Sequence, residues 1–259
     1  MVGSISVIHG AVTCLDANRF AHRSLVDKER LTDFLRSREK PLVSRAQAHA
    51  GLGDALTIDD ATVASAEAAA LARRFGHCVT LFVNPSYIVA GRPYELIELS
   101  CLLDRTRITR VDWRGREYQL GLADERGHFR RACKEQIRAL ADEASVRCYL
   151  AKIALALEVE DPEIPGFLRT LTRADLRQLI DAGVDVQNHG WSHRNIDLLT
   201  EGEVCDDLVM GREWLRDALG VEPDAYAVPD GAALPSARIR AAVPELWYCA
   251  NAALPAGWL

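Results

Sequence analysis

The chain reads as an α/β protein of parallel βα units with a mainly helical insertion at about residues 92–165. Three observations predict this. Short apolar runs alternate with amphipathic helical stretches near both ends of the chain. The alternation breaks over Gly91–Pro165, where charged helical pattern dominates. Finally, residues with metal-ligand and acid–base chemistry fall just after the apolar runs. In a parallel barrel those positions converge on one rim.

The elements follow in order. Ile5–His9 is a short buried strand, and Ser24–Arg36 a helix with Leu25, Leu31, Phe34 and Leu35 on one face. Ala55–Asp60 is a strand ending in acid. Thr62–Phe75 is an Ala-rich helix stopped by Gly76, and Cys78–Asn84 a strand rich in β-branched and aromatic residues. In the insertion, Ile108–Tyr118 reads as a hairpin, followed by helical stretches at about Gly127–Glu143 and Val146–Glu158. The breaker cluster Asp161–Gly166 closes it. Thr172 with Asp175 reads as a capping box opening a helix that ends near Gly183. Val184–Asn188 is then a strand. Thr200 with Glu203 opens a second capped helix to Leu219, stopped by Gly220. Ala225–Val228, Ser236–Val243 and Leu246–Ala250 read as strand, helix and strand.

Composition narrows the function classes. A net charge of −6 with scattered Lys and Arg leaves no basic footprint for nucleic acid. No run approaches the roughly 18 apolar residues of a membrane span. The N-terminus, Met1–His9, has no Lys or Arg and does not read as a signal peptide. The seven cysteines are odd in number and form no C-x-x-C, so they read as reduced thiols. Together these give the expectation of a cytoplasmic protein.

The chemistry concentrates in two stretches: Leu56-Thr57-Ile58-Asp59-Asp60-Ala61 and Asn188-His189-Gly190-Trp191-Ser192-His193. Two imidazoles and a carboxylate suit a borderline divalent ion, zinc above all, and leave a position open for water. A second carboxylate alongside can take a proton from that water. Each stretch also has a plainer reading. An acidic pair at a strand end can cap the next helix, and two histidines on a loop can be surface residues. Trp191 either packs the loop or stacks on a sugar ring. Asn84 suits a turn as well as a substrate contact, and Asp230-Gly231 a tight turn on the same rim.

Leu56–Ala61 resembles the T-F-D-D-G motif of the polysaccharide deacetylases, the NodB-homology or carbohydrate esterase 4 family. His189-Gly190-Trp191-Ser192-His193 resembles their H-[ST]-x-x-H motif, Val79–Val83 their A-T-F-F-V strand, and Tyr226–Gly231 the variant F-A-Y-P-Y-G. The resemblance covers about 1–90 and 166–250, in the family's order. It implies a distorted (β/α) barrel and metal-dependent removal of an acetyl group from a sugar. Carried over by position, Asp60, His189 and His193 hold the metal, Asp59 is the base, and a backbone N–H near Asp230 helps hold the oxyanion. Four departures stand out. Ala61 replaces a Gly, Gly190 replaces the Ser or Thr that braces the histidine loop, and Ala227 stands where many members carry Arg. No His follows His193, and the Asp–Trp element is missing, so the family's L-x-x-H proton donor has no counterpart. His9, at the end of the first strand, is the candidate replacement; it can also be a structural histidine.

The expectation is therefore a single NodB-like domain over 1–259. It would remove an N-acetyl group from an amino sugar with one divalent metal ion. Asp59 and His9 would be catalytic, with Asp230, Asn84 and Trp191 on the substrate. The substrate would be a nucleotide-linked, lipid-linked or oligosaccharide amino sugar in surface-polysaccharide biosynthesis. Two rivals stand beside it: a hydrolase of another small acyl amide, and a non-catalytic sugar-binding or assembly protein that keeps the metal site.

Overall fold

The computed structural model describes residues 4–13, 25–140, 142–229, 235–243 and 247–249. Asp230 lies outside them. The strands in chain order are β1 (Ile5–Ile8), β2 (Gly10–Val12), β3 (Leu25–Asp27), β4 (Ala55–Ile58) and β5 (Thr80–Val83). They continue with β6 (Arg110–Trp113), β7 (Arg116–Gln119), β8 (Asp185–Asn188), β9 (Ala225–Ala227) and β10 (Trp247–Cys249). Six of them form one sheet in the order β1-β4-β5-β8-β9-β10, with every pairing parallel. The expected βα alternation is thus present, and all six strands point their C-terminal ends the same way.

The chain divides into two compact units, Met1–Arg92 with Phe167–Leu259, and Pro93–Gly166. The first contains the parallel sheet. Every residue of β4 and β5 is buried, as strands covered on both faces require. Leu56, Ile58, Leu81 and Val83 join a core with Val186, Leu176 and Leu215. Each such side chain contributes about 1.5–3 kcal/mol of burial. Helix Val63–Arg74 buries Ala64, Ala68, Ala69 and Ala72, and small side chains let it lie close to its neighbours. Its first turn meets Gly10 so tightly that a Cβ at that position would lie 2.6 Å from the Ala64 carbonyl carbon.

The second unit is mainly helical: Glu95–Arg105, Ala123–Arg138 and Glu143–Ala156. The hairpin β6–β7 turns on Arg114 and Gly115, with φ of 56° and 78°, the left-handed pair that a two-residue hairpin turn uses. Trp113, Tyr118, Phe129 and Tyr149 make edge-to-face contacts, and Arg147 grips Glu98 through two bonds of 2.6 and 2.8 Å.

Several local expectations need correction. Residues 25–27 form β3, paired in parallel with β2, and the helix begins only at Lys28. The reason is Asp27, whose carboxylate accepts from Glu29 and Arg30 N–H and caps the helix there. The stretch expected as one helix to Glu143 stops at Arg138, and Asp142 caps a new helix through Ser145 N–H. Short helices at Arg45–His49 and Pro85–Ala90, and the longer Glu95–Arg105, are additional.

Candidate metal centre

The C-terminal ends of β1, β4 and β8 deliver His9, Asp59, Asp60 and His189 to one place. His193 follows on the loop after β8. Asp59 continues the β4 ladder, its N–H donating to the Ile8 carbonyl at 3.0 Å. The backbone then turns left-handed at Asp60 and Ala61, with φ of 74° and 46°. Two bonds hold that turn: Leu171 N–H to the Ala61 carbonyl at 2.9 Å and Val63 N–H to the Arg169 carbonyl at 3.0 Å. Left-handed non-glycine residues carry strain and persist only where surroundings impose them.

The acidic pair does not cap the following helix. Thr62 does so, in a capping box with Ser65. The Ser65 hydroxyl also donates to the His9 carbonyl at 2.7 Å and lies 3.2 Å from the Asp59 carbonyl, clipping the ends of β1 and β4 together. Both carboxylates are therefore left for the site.

The imidazole Nε2 atoms of His189 and His193 lie 3.8 and 3.6 Å from Asp60 Oδ1. The two rings are edge to face, 4.9 Å between centroids. His189 Nδ1 sits 2.9 Å from the Ala227 carbonyl. With Nδ1–H donating to that carbonyl, the Nε2 lone pair is left on the side of Asp60. One donor atom from each of Asp60, His189 and His193 lies within 4.8 Å of the others. A tetrahedral ion with ligands at ~2.1 Å holds its donors roughly 3.4 Å apart, close to the two distances observed. The donor set therefore fits a small divalent cation.

Asp59 is 1% exposed, and neither carboxylate oxygen has a hydrogen-bond partner among the described residues. One oxygen lies 3.9 Å from His189 Nε2. Burial pushes its carboxyl up to about 7, because low polarity penalises the charged form. His9 Nε2 lies 3.4 Å from Asp60 Oδ2, and its side chain is 20% exposed.

The substrate-facing expectations fare differently. Asn84 is buried, and its amide nitrogen donates to the His189 and Gly190 carbonyls at 2.7 and 3.2 Å. These bonds brace the histidine loop. Trp191 is half-buried. Its backbone is held on both sides, its carbonyl accepting from Ser86 N–H at 2.9 Å and its N–H donating to Asp207. Asp230 lies outside the described residues. Asp207 and Ser65 escaped the sequence reading. For Asp207 a signal existed, since Val204, Asp207, Leu208 and Gly211 form a buried stripe with an acid in it.

Residues 148–247 match the sequence model of the family described as polysaccharide deacetylase. No curated protein matches the chain by sequence. Among solved structures, IcaB from Ammonifex degensii superposes with a TM-score of 0.57 at 13% identity, covering 99% of this chain and 94% of that one. The Streptococcus pyogenes deacetylase PplD in complex with acetate gives 0.55 at 12%, covering 93% and 80%. The deacetylase domain of BpsB from Bordetella bronchiseptica gives 0.51 at 12%, covering 97% and 96%. The fold shared with these is the distorted parallel (β/α) barrel of the NodB type, here with its mainly helical insertion. The sequence match to the polysaccharide deacetylase family spans both histidines and β9, and the solved structures share the fold over nearly the whole chain.

Proposed function

We propose that this chain is a metal-dependent hydrolase that removes an N-acetyl group from an amino sugar. The observation that carries the reading is the buried cluster of Asp60, His189 and His193 with the unbonded carboxylate of Asp59 beside it. In this reading Asp60, His189 and His193 hold one divalent ion, zinc by ligand preference. When bound, that ion polarises the acyl carbonyl and acidifies the attacking water.

The chain's own residues do the rest. Asp59 accepts the water's proton at a carboxylate oxygen, for which its raised proton affinity suits it. The water oxygen bonds to the carbonyl carbon, and the carbon–nitrogen bond then breaks to leave acetate. The departing nitrogen needs a proton. In this reading His9, whose Nε2 lies 3.4 Å from Asp60 Oδ2, gives one; Asp59 can also return the proton it took. Trp191 and Asp230 complete the proposed sugar contacts, the first by stacking. The reading extends to a nucleotide-linked or lipid-linked sugar inside the cell, in the biosynthesis of surface polysaccharide.

The test is release of acetate from a panel of nucleotide-linked, lipid-linked and oligomeric N-acetyl amino sugars, with zinc supplied. Acetate and free amine in equal amounts are expected from at least one. Formate or another acid would redirect the reading to a different acyl amide. No turnover on any of them would favour a sugar-binding protein. His9→Gln is expected to lower turnover by roughly 10²-fold with zinc content unchanged. Unchanged turnover would return the proton donation to Asp59.

A further inference from the structure

We propose that Asp207 is a positioning residue for the histidine pair. Its buried carboxylate sets the path of the Gly190–Ser192 turn, and so the placement of His189 and His193. The proposal rests on the reading of that pair as metal ligands.

Asp207 lies on helix Glu201–Trp214 and is 7% exposed. One carboxylate oxygen accepts from Trp191 N–H at 3.0 Å. The other accepts from Ser192 N–H at 3.2 Å and from the Ser192 hydroxyl at 3.0 Å. The Asp207 backbone carbonyl takes a further bond from Trp191 N–H at 3.2 Å. Every one of these bonds falls between His189 and His193. Bonds to a carboxylate are the strong kind, and they fix a stretch whose two ends are the proposed ligands. The strain of the segment sits beside them, in the left-handed His193 with φ 50°.

Gly190 belongs to the same device. Its φ is 83°, and a Cβ built there would lie 2.5 Å from Asp207 Oδ2. The motif resemblance leads one to expect a Ser or Thr at 190, bracing the loop from within. Here the volume such a side chain would enter is filled by the Asp207 carboxylate, which does the bracing from the neighbouring helix. Glycine at 190 and acid at 207 are therefore mutually dependent.

The experiment measures zinc affinity of the full chain by competition with a chromophoric chelator, alongside thermal unfolding of the metal-free protein. Loss of an outer-shell partner typically weakens metal binding about 10–100-fold, and that loss is expected for Asp207→Asn. Asp185→Asn, at the opposite end of the sheet, serves as the control: it should lower the unfolding temperature and leave zinc affinity alone. Gly190→Ala should weaken zinc about tenfold in the wild-type background, but only about twofold in Asp207→Ala, where the clash is gone. The left-handed strain is common to both backgrounds and cancels in that comparison. Equal zinc affinity in wild type and Asp207→Asn would overturn the proposal, as would effects of Gly190→Ala and Asp207→Ala that simply multiply. Should Asp207→Asn fail to fold, Ser192→Ala removes only the hydroxyl bond and is expected to weaken zinc about threefold; no change would count against Asp207. A wild-type chain that itself binds no zinc sinks the metal reading first, and that outcome is distinct from any confined to the variants.

Discussion

The two ends of the parallel sheet hold charge in opposite ways. At the N-terminal ends, Asp185 opens β8 and Asp224 precedes β9. Both meet the buried guanidinium of Arg45, Asp185 at 3.5 Å. Thr80 donates to Asp185 at 2.9 Å, and Gln187 donates to it at 2.6 Å while accepting from Asp224 and Ala225 N–H. Acids, cation and amide pair with one another, although the Arg45 Nε makes no hydrogen bond among the described residues. At the C-terminal ends, Asp59 is buried with no hydrogen-bond partner among the described residues, Asp60 faces imidazoles, and three residues are left-handed without being glycine. One end is an ion-paired polar network with a cation between its acids. The other gathers carboxylates and imidazoles on strained backbone, at the end where a parallel barrel puts its chemistry.

The comparison breaks most sharply at Asp59. Asp59→Asn is expected to lower turnover by about 10²–10⁴-fold with zinc content intact, because an amide cannot take the water's proton. The same change should raise the unfolding temperature of the metal-free protein, since it removes a buried carboxylate that no described residue hydrogen-bonds. Undiminished turnover would reduce Asp59 to a structural residue.

The opposite end should respond in the opposite sense. Arg45→Met leaves Asp185 and Asp224 without their cation and is expected to destabilise by about 1–3 kcal/mol, less than for fully buried pairs because both acids reach solvent. Zinc affinity should not move. A loss of zinc binding with the fold intact would show that the two ends are coupled after all.

The smallest effect concerns Asp54, beside the same end. Arg38 at 2.8 Å, with the Ser4 hydroxyl and N–H, holds its carboxyl down at about 2, against an ordinary 3.8. A depressed carboxylate contributes stability that is present above its unfolded value and is lost as pH falls through the folded one. Stability should therefore decline as pH drops from about 4 to about 2. Asp54→Asn should flatten part of that decline in urea melts at stepped pH; an unchanged slope would deny the bond any role.

The parts of this fold that were legible in sequence are those set by local pattern. Apolar runs marked β1, β4, β5, β8 and β9, and the capping boxes at Thr172 and Thr200 marked two helix starts within a residue. Asp60, His189 and His193 were legible because residues just after parallel strands share a rim. What escaped depends on packing that no window of sequence contains. β2 and β3 are three residues each and exist only by pairing with one another. Asn84 suited a turn or a substrate contact in sequence, and nothing in its neighbourhood announces its bonds to two carbonyls 105 and 106 positions away. Gly190 looked like the loss of a brace, whereas the brace had moved to Asp207.

The central claim is that the C-terminal rim is a metal centre built by Asp60, His189 and His193. The most direct measurement is the zinc content per chain of purified wild type, His189→Ala and His193→Ala, each checked for folding by circular dichroism. The account predicts one zinc per wild-type chain and a loss of it in both folded variants. Full retention of the metal in both would contradict the account.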